Sequence, residues 1–175
     1  MKKILIVVDY QKDFVTGSLG FPQAALLEKG ICQKIEQYKQ DGGEVVFTFD
    51  THYDNYLLTQ EGKKRPVPHC LKNSDGWNLY GKVAELCDES TKCFEKVTYG
   101  SLDLANYLAL NYYKRVELLG VVTNICLLSN VILAKAALPE AEIVVDATCT
   151  ASYNDSLHQM TLDILEGMQI DVINT

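Results

Sequence analysis

Short apolar runs alternate along this chain with longer stretches in which apolar residues recur every three or four positions. The runs "KILIVVD" (Lys3–Asp9), "EVVFTFD" (Glu44–Asp50), "RVELLGV" (Arg115–Val121) and "EIVVDA" (Glu142–Ala147) are rich in Val, Ile and Leu and carry polar residues at their ends. That pattern reads as short buried strands. "CFEKV" (Cys93–Val97) and "IDVINT" (Ile170–Thr175) are weaker strand candidates. Helical periodicity covers Ala24–Gln40, Leu102–Leu110, Asn124–Ala137 and Asp155–Glu166. The glycines of "DGGE" (Asp41–Glu44) suit the end of a helix, and Asn154 or Asp155 suits the cap of the last one. Strands that alternate with helices pair in parallel through right-handed crossovers. The predicted fold is therefore α/β: a three-layer, doubly wound (Rossmann-like) sandwich with a central, mostly parallel sheet of about six strands.

One segment breaks the alternation. Thr51–Tyr80 carries Pro66 and Pro68, His52 and His69, and the only tryptophan, Trp77. A long irregular excursion in a compact chain is more often functional than not. With no repeat, linker or low-complexity tract elsewhere, residues 1–175 read as a single domain with a binding excursion at about 50–80.

Composition narrows the partners. The 175 residues are 47% hydrophobic and 22% charged, as in ordinary globular proteins. A net charge of −7 argues against nucleic acid or an anionic membrane surface. The opening "MKK" and the apolar run Ile4–Val8 briefly imitate an export signal, but Asp9 ends the run and no small-residue cleavage site follows. No segment approaches a bilayer span. The expectation is a cytoplasmic protein. The six cysteines (Cys32, Cys70, Cys87, Cys93, Cys126 and Cys149) fit no zinc-ribbon spacing and read as reduced thiols.

In open α/β sheets, ligands bind beyond the carboxyl ends of the strands. That edge would carry Asp9, Asp50, Lys96 and the turn Gly120–Cys126. A thiol is a weak nucleophile until it loses its proton, with an unperturbed pKa of about 8.5. The start of a helix and a nearby ammonium favour the thiolate, and a carboxylate can take the proton and return it. Asp9, Lys96 and Cys126 together thus compose a nucleophile, a proton acceptor and a charge stabiliser. Each alone also fits a structural role: a turn cap, a surface lysine, a core cysteine.

A second cluster lies in "FDTHYDNYLLTQEGKKRPVPHC", where Asp50, His52 and His69 are a donor set suited to Zn²⁺, Mn²⁺ or Fe²⁺. Glu61 lies between them as a further candidate ligand. The alternative is a loop held by histidine hydrogen bonds. His158, on a separate helix, is assigned no site role.

The chain resembles the isochorismatase-like cysteine hydrolases, and within them the nicotinamidases. The resemblance spans nearly the whole length and rests on "VVDYQKDF", "FDTHYDNY", "PVPHC", "FEKVTYGSL" and "GVVTNICL", in that order. It implies a triad of Asp9, Lys96 and Cys126. It further implies a cis peptide at Val121–Val122 and an oxyanion hole built from the Val122 and Cys126 N–H groups. It assigns a divalent metal, zinc by preference, to Asp50, His52 and His69, with Glu61 as a weaker member. Phe14, Trp77 and Tyr99 are the candidates for aromatic pocket walls. The implied activity is conversion of nicotinamide to nicotinate and ammonia through a thioester, within NAD salvage. The alternative is hydrolysis of another small amide or carbamoyl compound. A small-molecule amide is then the partner, and the relatives' habit implies a homo-oligomer. Two departures, "NSDGWNL" after His69 and valine within "GVVTN", remove no reactive group but loosen the inference to substrate. A catalytically silent binding module would have lost a triad residue. A flavodoxin-like nucleotide binder would carry a glycine-rich loop directly after Asp9, where Asp13 and Phe14 stand instead.

Overall fold

The computed structural model describes residues 2–175. In chain order its elements are β1 (Lys3–Val8), α1 (Lys12–Val15), α2 (Pro22–Leu26), α3 (Glu28–Gln40), β2 (Glu44–Asp50), α4 (Gln60–Lys64), α5 (Gly81–Glu85), β3 (Lys92–Lys96), α6 (Leu102–Asn111), β4 (Arg115–Val121), α7 (Leu128–Ala137), β5 (Glu142–Ala151), α8 (Asp155–Gly167) and β6 (Asp171–Ile173). The six strands form one sheet in the order β3-β2-β1-β4-β5-β6, and every neighbouring pair is parallel. The predicted three-layer α/β sandwich is the observed fold. Among the described residues, no helix is long and apolar enough to cross a membrane.

Alternation along each strand supplies two cores. Leu5 and Val7 of β1 pack with Phe47 of β2 against Ile31 and Ile35 of α3 and Val83 of α5. Ile4, Ile6 and Val8 pack with Leu118 of β4 against Leu104 of α6, Val131 of α7 and Leu165 of α8. The central strands are buried on both faces, so their sequences are continuous apolar runs. β3 and β6 lie at the edges, and most of their positions are exposed or half-buried. An edge strand is not required to be apolar on both faces, which is why these two gave the weakest signal.

Three boundaries differ from expectation. The helix expected over Ala24–Gln40 is two helices: at Leu27 the N–H turns to the Ala24 carbonyl at 3.3 Å and tightens the backbone. The strand expected at Glu142–Ala147 continues to Ala151, through a shift in its register with β4 between Leu118 and Gly120. The helix expected from Asn124 opens as a wide π-turn over Thr123–Leu127, in which the Leu127 N–H reaches the Val122 carbonyl at 3.2 Å. Of the two residues proposed to cap α8, Asn154 does so, its side chain accepting from the Leu157 N–H at 3.0 Å.

One polar cluster sits inside the first core. Lys34 of α3 reaches Glu117 of β4 at 2.7 Å and Asp146 of β5 at 2.8 Å, both carboxylates being buried. Tyr38 donates to Glu117 at 2.8 Å, while Thr148 and Asn174 donate to Asp146. Each carboxylate oxygen thereby meets a donor, as buried charge requires.

Candidate active site

Three adjacent strand ends and one strand-to-helix turn deliver the polar residues to a common edge. Asp9 follows β1 with φ 48°, a left-handed conformation that aspartate tolerates better than bulky residues do. Its Oδ1 accepts from Thr48 Oγ1 at 2.6 Å. Its Oδ2 has the Lys96 ammonium at 2.6 Å but no donor aligned for a hydrogen bond. Asp50 and Lys96 end β2 and β3 as register partners, and Lys96 Nζ stands 3.4 Å from Asp50 Oδ1 and 3.7 Å from Cys126 Sγ. All four side chains are buried.

Cys126 reaches this place by a close backbone approach. Gly120 has φ 113°, and a Cβ there would stand 2.1 Å from the Val8 carbonyl oxygen, so β4 can lie against β1 only with glycine at this position. The Val121–Val122 peptide that follows is cis, as the resemblance implied. The π-turn then carries the thiol beneath Lys96. Asn130 ties the turn to α7 by donating to the Cys126 carbonyl at 2.8 Å.

Electrostatics differ from the expectation that position alone would free the thiolate. Burial pushes the Cys126 thiol well above its ordinary pKa; the Lys96 charge opposes this, and the carboxylates of Asp9 and Asp50 add to it. Burial also raises Asp9, against the pull of Lys96. Lys96 is raised well above its usual value: burial disfavours the ammonium, but Asp9, Cys126 and Asp50 together outweigh that cost. For Asp50 burial again opposes ionisation, and Lys96 with the two histidines overcomes it and holds the carboxyl far below the ordinary range. The resting thiol is therefore protonated beside a basic carboxyl. The arrangement can serve as a proton-transfer pair and is not a preformed thiolate.

Against the other side of Asp50 lies the histidine cluster. One ligand atom from each of Asp50, His52, Glu61 and His69 lies within 4.8 Å of the others. His52 Nε2 and His69 Nε2 approach Asp50 Oδ2 at 3.0 and 3.2 Å, and His69 Nε2 stands 3.5 Å from Glu61 Oε1. His69 Nδ1 faces the Val67 carbonyl at 2.8 Å. A carbonyl only accepts, so Nδ1 carries the proton and Nε2 of the neutral ring keeps its lone pair toward the cluster. Two convergent imidazole nitrogens and two carboxylates match what a divalent transition metal takes. These residues fit such an ion. Glu61 stands in the first turn of α4, where Gly62 lets the helix pass against the Tyr56 carbonyl; a Cβ at that glycine would lie 2.0 Å from its oxygen.

Supporting contacts that the sequence did not single out hold the set. Gln11 is buried, donating to the Asp50 carbonyl at 2.9 Å and accepting from the Asp50 N–H at 2.8 Å. Asp13 accepts from the Cys70 N–H at 2.7 Å and so fixes the chain just past His69. Both lie in "VVDYQKDF", where an amide and a carboxylate directly after a core strand were the available signal.

A small pocket is lined by Phe14, Tyr99, Val122, Ile125, Tyr153 and Arg65 together with Asp50, Glu61 and His69 of the donor set. Asp50 and the Val122–Ile125 turn are what join it to the buried Asp9, Lys96 and Cys126. Phe14 and Tyr99 thus stand where a pocket wall was expected. Trp77 does not: its ring packs 5.0 Å from Phe49 and its indole N–H donates to Thr51 at 2.9 Å, behind the cluster. Arg65 and Tyr153 were not foreseen, because their stretches carry no strand-end signal; Ile125 lies in the expected turn Gly120–Cys126 but was not singled out there. His158 lies 2.9 Å from Thr123 Oγ1, buttressing the π-turn from α8.

Comparison with known proteins agrees with this geometry. The model of the isochorismatase domain family matches residues 3–175. The isochorismatase family protein PncA of Bacillus subtilis is 30% identical over 174 residues, covering 93% of each chain. Among solved structures, the pyrazinamidase/nicotinamidase of Streptococcus mutans superposes with a TM-score of 0.89 at 29% identity, covering 98% of this chain and 100% of that one. A nicotinamidase/pyrazinamidase, PncA, from Bacillus subtilis gives 0.87 at 28% identity, covering 98% and 99%. The chain belongs to the isochorismatase family of hydrolases.

Proposed function

We propose that this isochorismatase-family hydrolase is a cysteine amidohydrolase that converts nicotinamide to nicotinate and ammonia. The observation that carries the reading is the meeting of Lys96 with Asp9, Cys126 and Asp50 at one buried edge, where Asp50 also belongs to the four-residue donor set. Held by Asp50, His52, Glu61 and His69, a divalent cation, zinc by preference and manganese or iron otherwise, would supply a Lewis-acidic point of attachment for the pyridine nitrogen.

The chemistry of this chain's own residues runs as follows. Asp9 takes the Sγ proton of Cys126, and the thiolate forms a bond to the carboxamide carbon. The developing oxyanion is held by the Val122 and Cys126 N–H groups, each worth roughly 10²–10³ in rate. Asp9 returns the proton to the amine nitrogen, the C–N bond breaks and ammonia leaves. Water, giving a proton to Asp9, then attacks the thioester carbon and the C–S bond breaks, releasing the acid and restoring the thiol. Lys96 keeps its charge throughout and steadies the anionic species. Phe14 and Tyr99 flank the ring and exclude water, which strengthens each electrostatic interaction inside.

A second reading, another small amide or carbamoyl compound, is favoured by one observation. Arg65 lines the pocket and, among the described residues, forms no ion pair with a carboxylate. An acyl group bearing its own anion would satisfy that cation.

Ammonia release from nicotinamide, measured beside metal content for the wild type, Cys126→Ala and His52→Ala, tests the proposal. Turnover lost in Cys126→Ala, and lost together with metal in His52→Ala, is the expected result. An inert nicotinamide with Cys126-dependent hydrolysis of a carboxylated amide would replace the first reading by the second. Wild-type turnover in Cys126→Ala would sink both.

A further inference from the structure

Away from the pocket, two sulfurs meet at the edge of the sheet. Cys87 follows α5 and Cys93 lies in β3, with Sγ atoms 3.6 Å apart near the surface. The turn between them is tightly built. Asp88 Oδ1 accepts from the Ser90 N–H at 2.9 Å and from Thr91 Oγ1 at 3.1 Å, and the Asp88 N–H donates to Thr91 Oγ1 at 3.1 Å. Lys39 of α3 fixes the near end by donating to the Leu86 carbonyl at 2.8 Å. The two thiols are thus held together before any reaction.

We propose that Cys87 and Cys93 form an oxidation site that a peroxide converts reversibly to a disulfide, independently of the hydrolytic reaction. Exposure and pairing distinguish this site from the other cysteines: Cys70, Cys126 and Cys149 are buried, and Cys32 has no sulfur neighbour among the described residues. The pair is also polarised. Cys93 is exposed on the edge strand whereas Cys87 is half-buried behind it, so a dissolved oxidant meets Cys93 first. The contact between the two sulfurs also favours the Cys93 thiolate. Cys93 is therefore the sulfur that attacks first.

The Cys93 thiolate attacks one peroxide oxygen, an S–O bond forms, the O–O bond breaks and hydroxide leaves to become water. The Cys87 sulfur then attacks the Cys93 sulfenic sulfur. The S–S bond forms, the S–O bond breaks, and the second water carries off the Cys87 proton. The dithiol loses two electrons and hydrogen peroxide gains them, so no further reductant or oxidant is required.

The test treats the full chain with a small excess of hydrogen peroxide, blocks remaining thiols and digests with trypsin without reduction. Cleavage after Lys82, Lys92 and Lys96 puts the two cysteines on separate peptides, Val83–Lys92 and Cys93–Lys96. The expected product is those two peptides joined, lighter by the mass of one hydrogen molecule and separated again by dithiothreitol. In Cys87→Ser, dimedone should label Cys93. Recovery of both peptides singly alkylated while Cys126 or Cys32 has been oxidised overturns the proposal. Absence of dimedone on Cys93 overturns the order of attack. Neither readout depends on amide hydrolysis, so failure of the proposed activity would leave the result standing.

Discussion

Two lysines in this molecule, Lys34 half-buried and Lys96 buried, each face two buried carboxylates, and their surroundings are opposites. Lys34 lies mid-sheet beneath α3, and the oxygens of Glu117 and Asp146 are shared with Tyr38, Thr148 and Asn174. Lys96 lies at the strand ends, where Asp9 Oδ2 has a charge beside it but no aligned donor, and a protonated thiol completes the group. In the first cluster the folded state favours the ionised carboxylate, and Asp146 is lowered: burial opposes this, but bonds from Lys34 and Thr148 prevail. In the second, burial raises Asp9. A satisfied cluster stabilises the fold. An unsatisfied one stores basicity that a reaction can use.

The sharpest way to break this comparison is Asp9→Asn, which keeps the shape and removes the proton acceptor. Amide hydrolysis should fall about 10³-fold, while stability falls less than when Lys34 is removed, because Asp50 still faces Lys96 and the cost of burying the Asp9 carboxylate is relieved. A large loss of stability would show that Asp9 belongs with the structural cluster. The converse substitution, Lys34→Met, leaves Asp146 without its cation and Glu117 with only the Arg115 guanidinium at 3.6 Å, and should cost about 3 kcal/mol in urea unfolding. Its turnover per folded molecule should match the wild type; a selective loss of turnover would join the two clusters functionally.

Gln11→Ala gives a smaller effect, since it frees the backbone of Asp50 without touching the donor set. Affinity for the divalent ion should weaken roughly 10- to 100-fold in a competitive chelator titration, and an unchanged affinity would mean the strand alone positions Asp50. The smallest effect belongs to Asp146→Asn. Because the folded state lowers this carboxyl, its ionised form contributes stability above an ordinary aspartate's 3.8, and that contribution is lost as pH falls through the lower folded value. The wild type should exceed the variant by about 1 kcal/mol at pH 7, with the gap closing in acid. A gap that widened as pH fell would reverse the assigned sign.

Much of the sheet was legible because β1, β2 and β4 are buried on both faces and therefore continuously apolar. Strand-end logic then led to Asp9, Asp50, Lys96 and the turn before Cys126 without any coordinates. What it missed follows from the same physics. Arg65 and Tyr153 enter the pocket from irregular segments, where no periodicity marks a direction. Trp77 was expected in the pocket for its chemistry, yet its N–H finds Thr51 and its ring finds Phe49. The position of the Cys126 helix was readable, but the loss of solvent that raises its thiol depends on neighbours distant in sequence.

The seam between β1 and β4 divides the chain as well as the sheet. Everything before β4 holds Asp9, Asp50, Lys96 and the whole donor set, whereas the thiol and the cis peptide follow it. A polypeptide cut ahead of Arg115 would therefore yield one half with the proposed base and no thiol, and another with the thiol and no such base. Any activity regained on mixing such halves would report that the two strands had found each other, which makes this enzyme a ready-made split reporter of its own assembly.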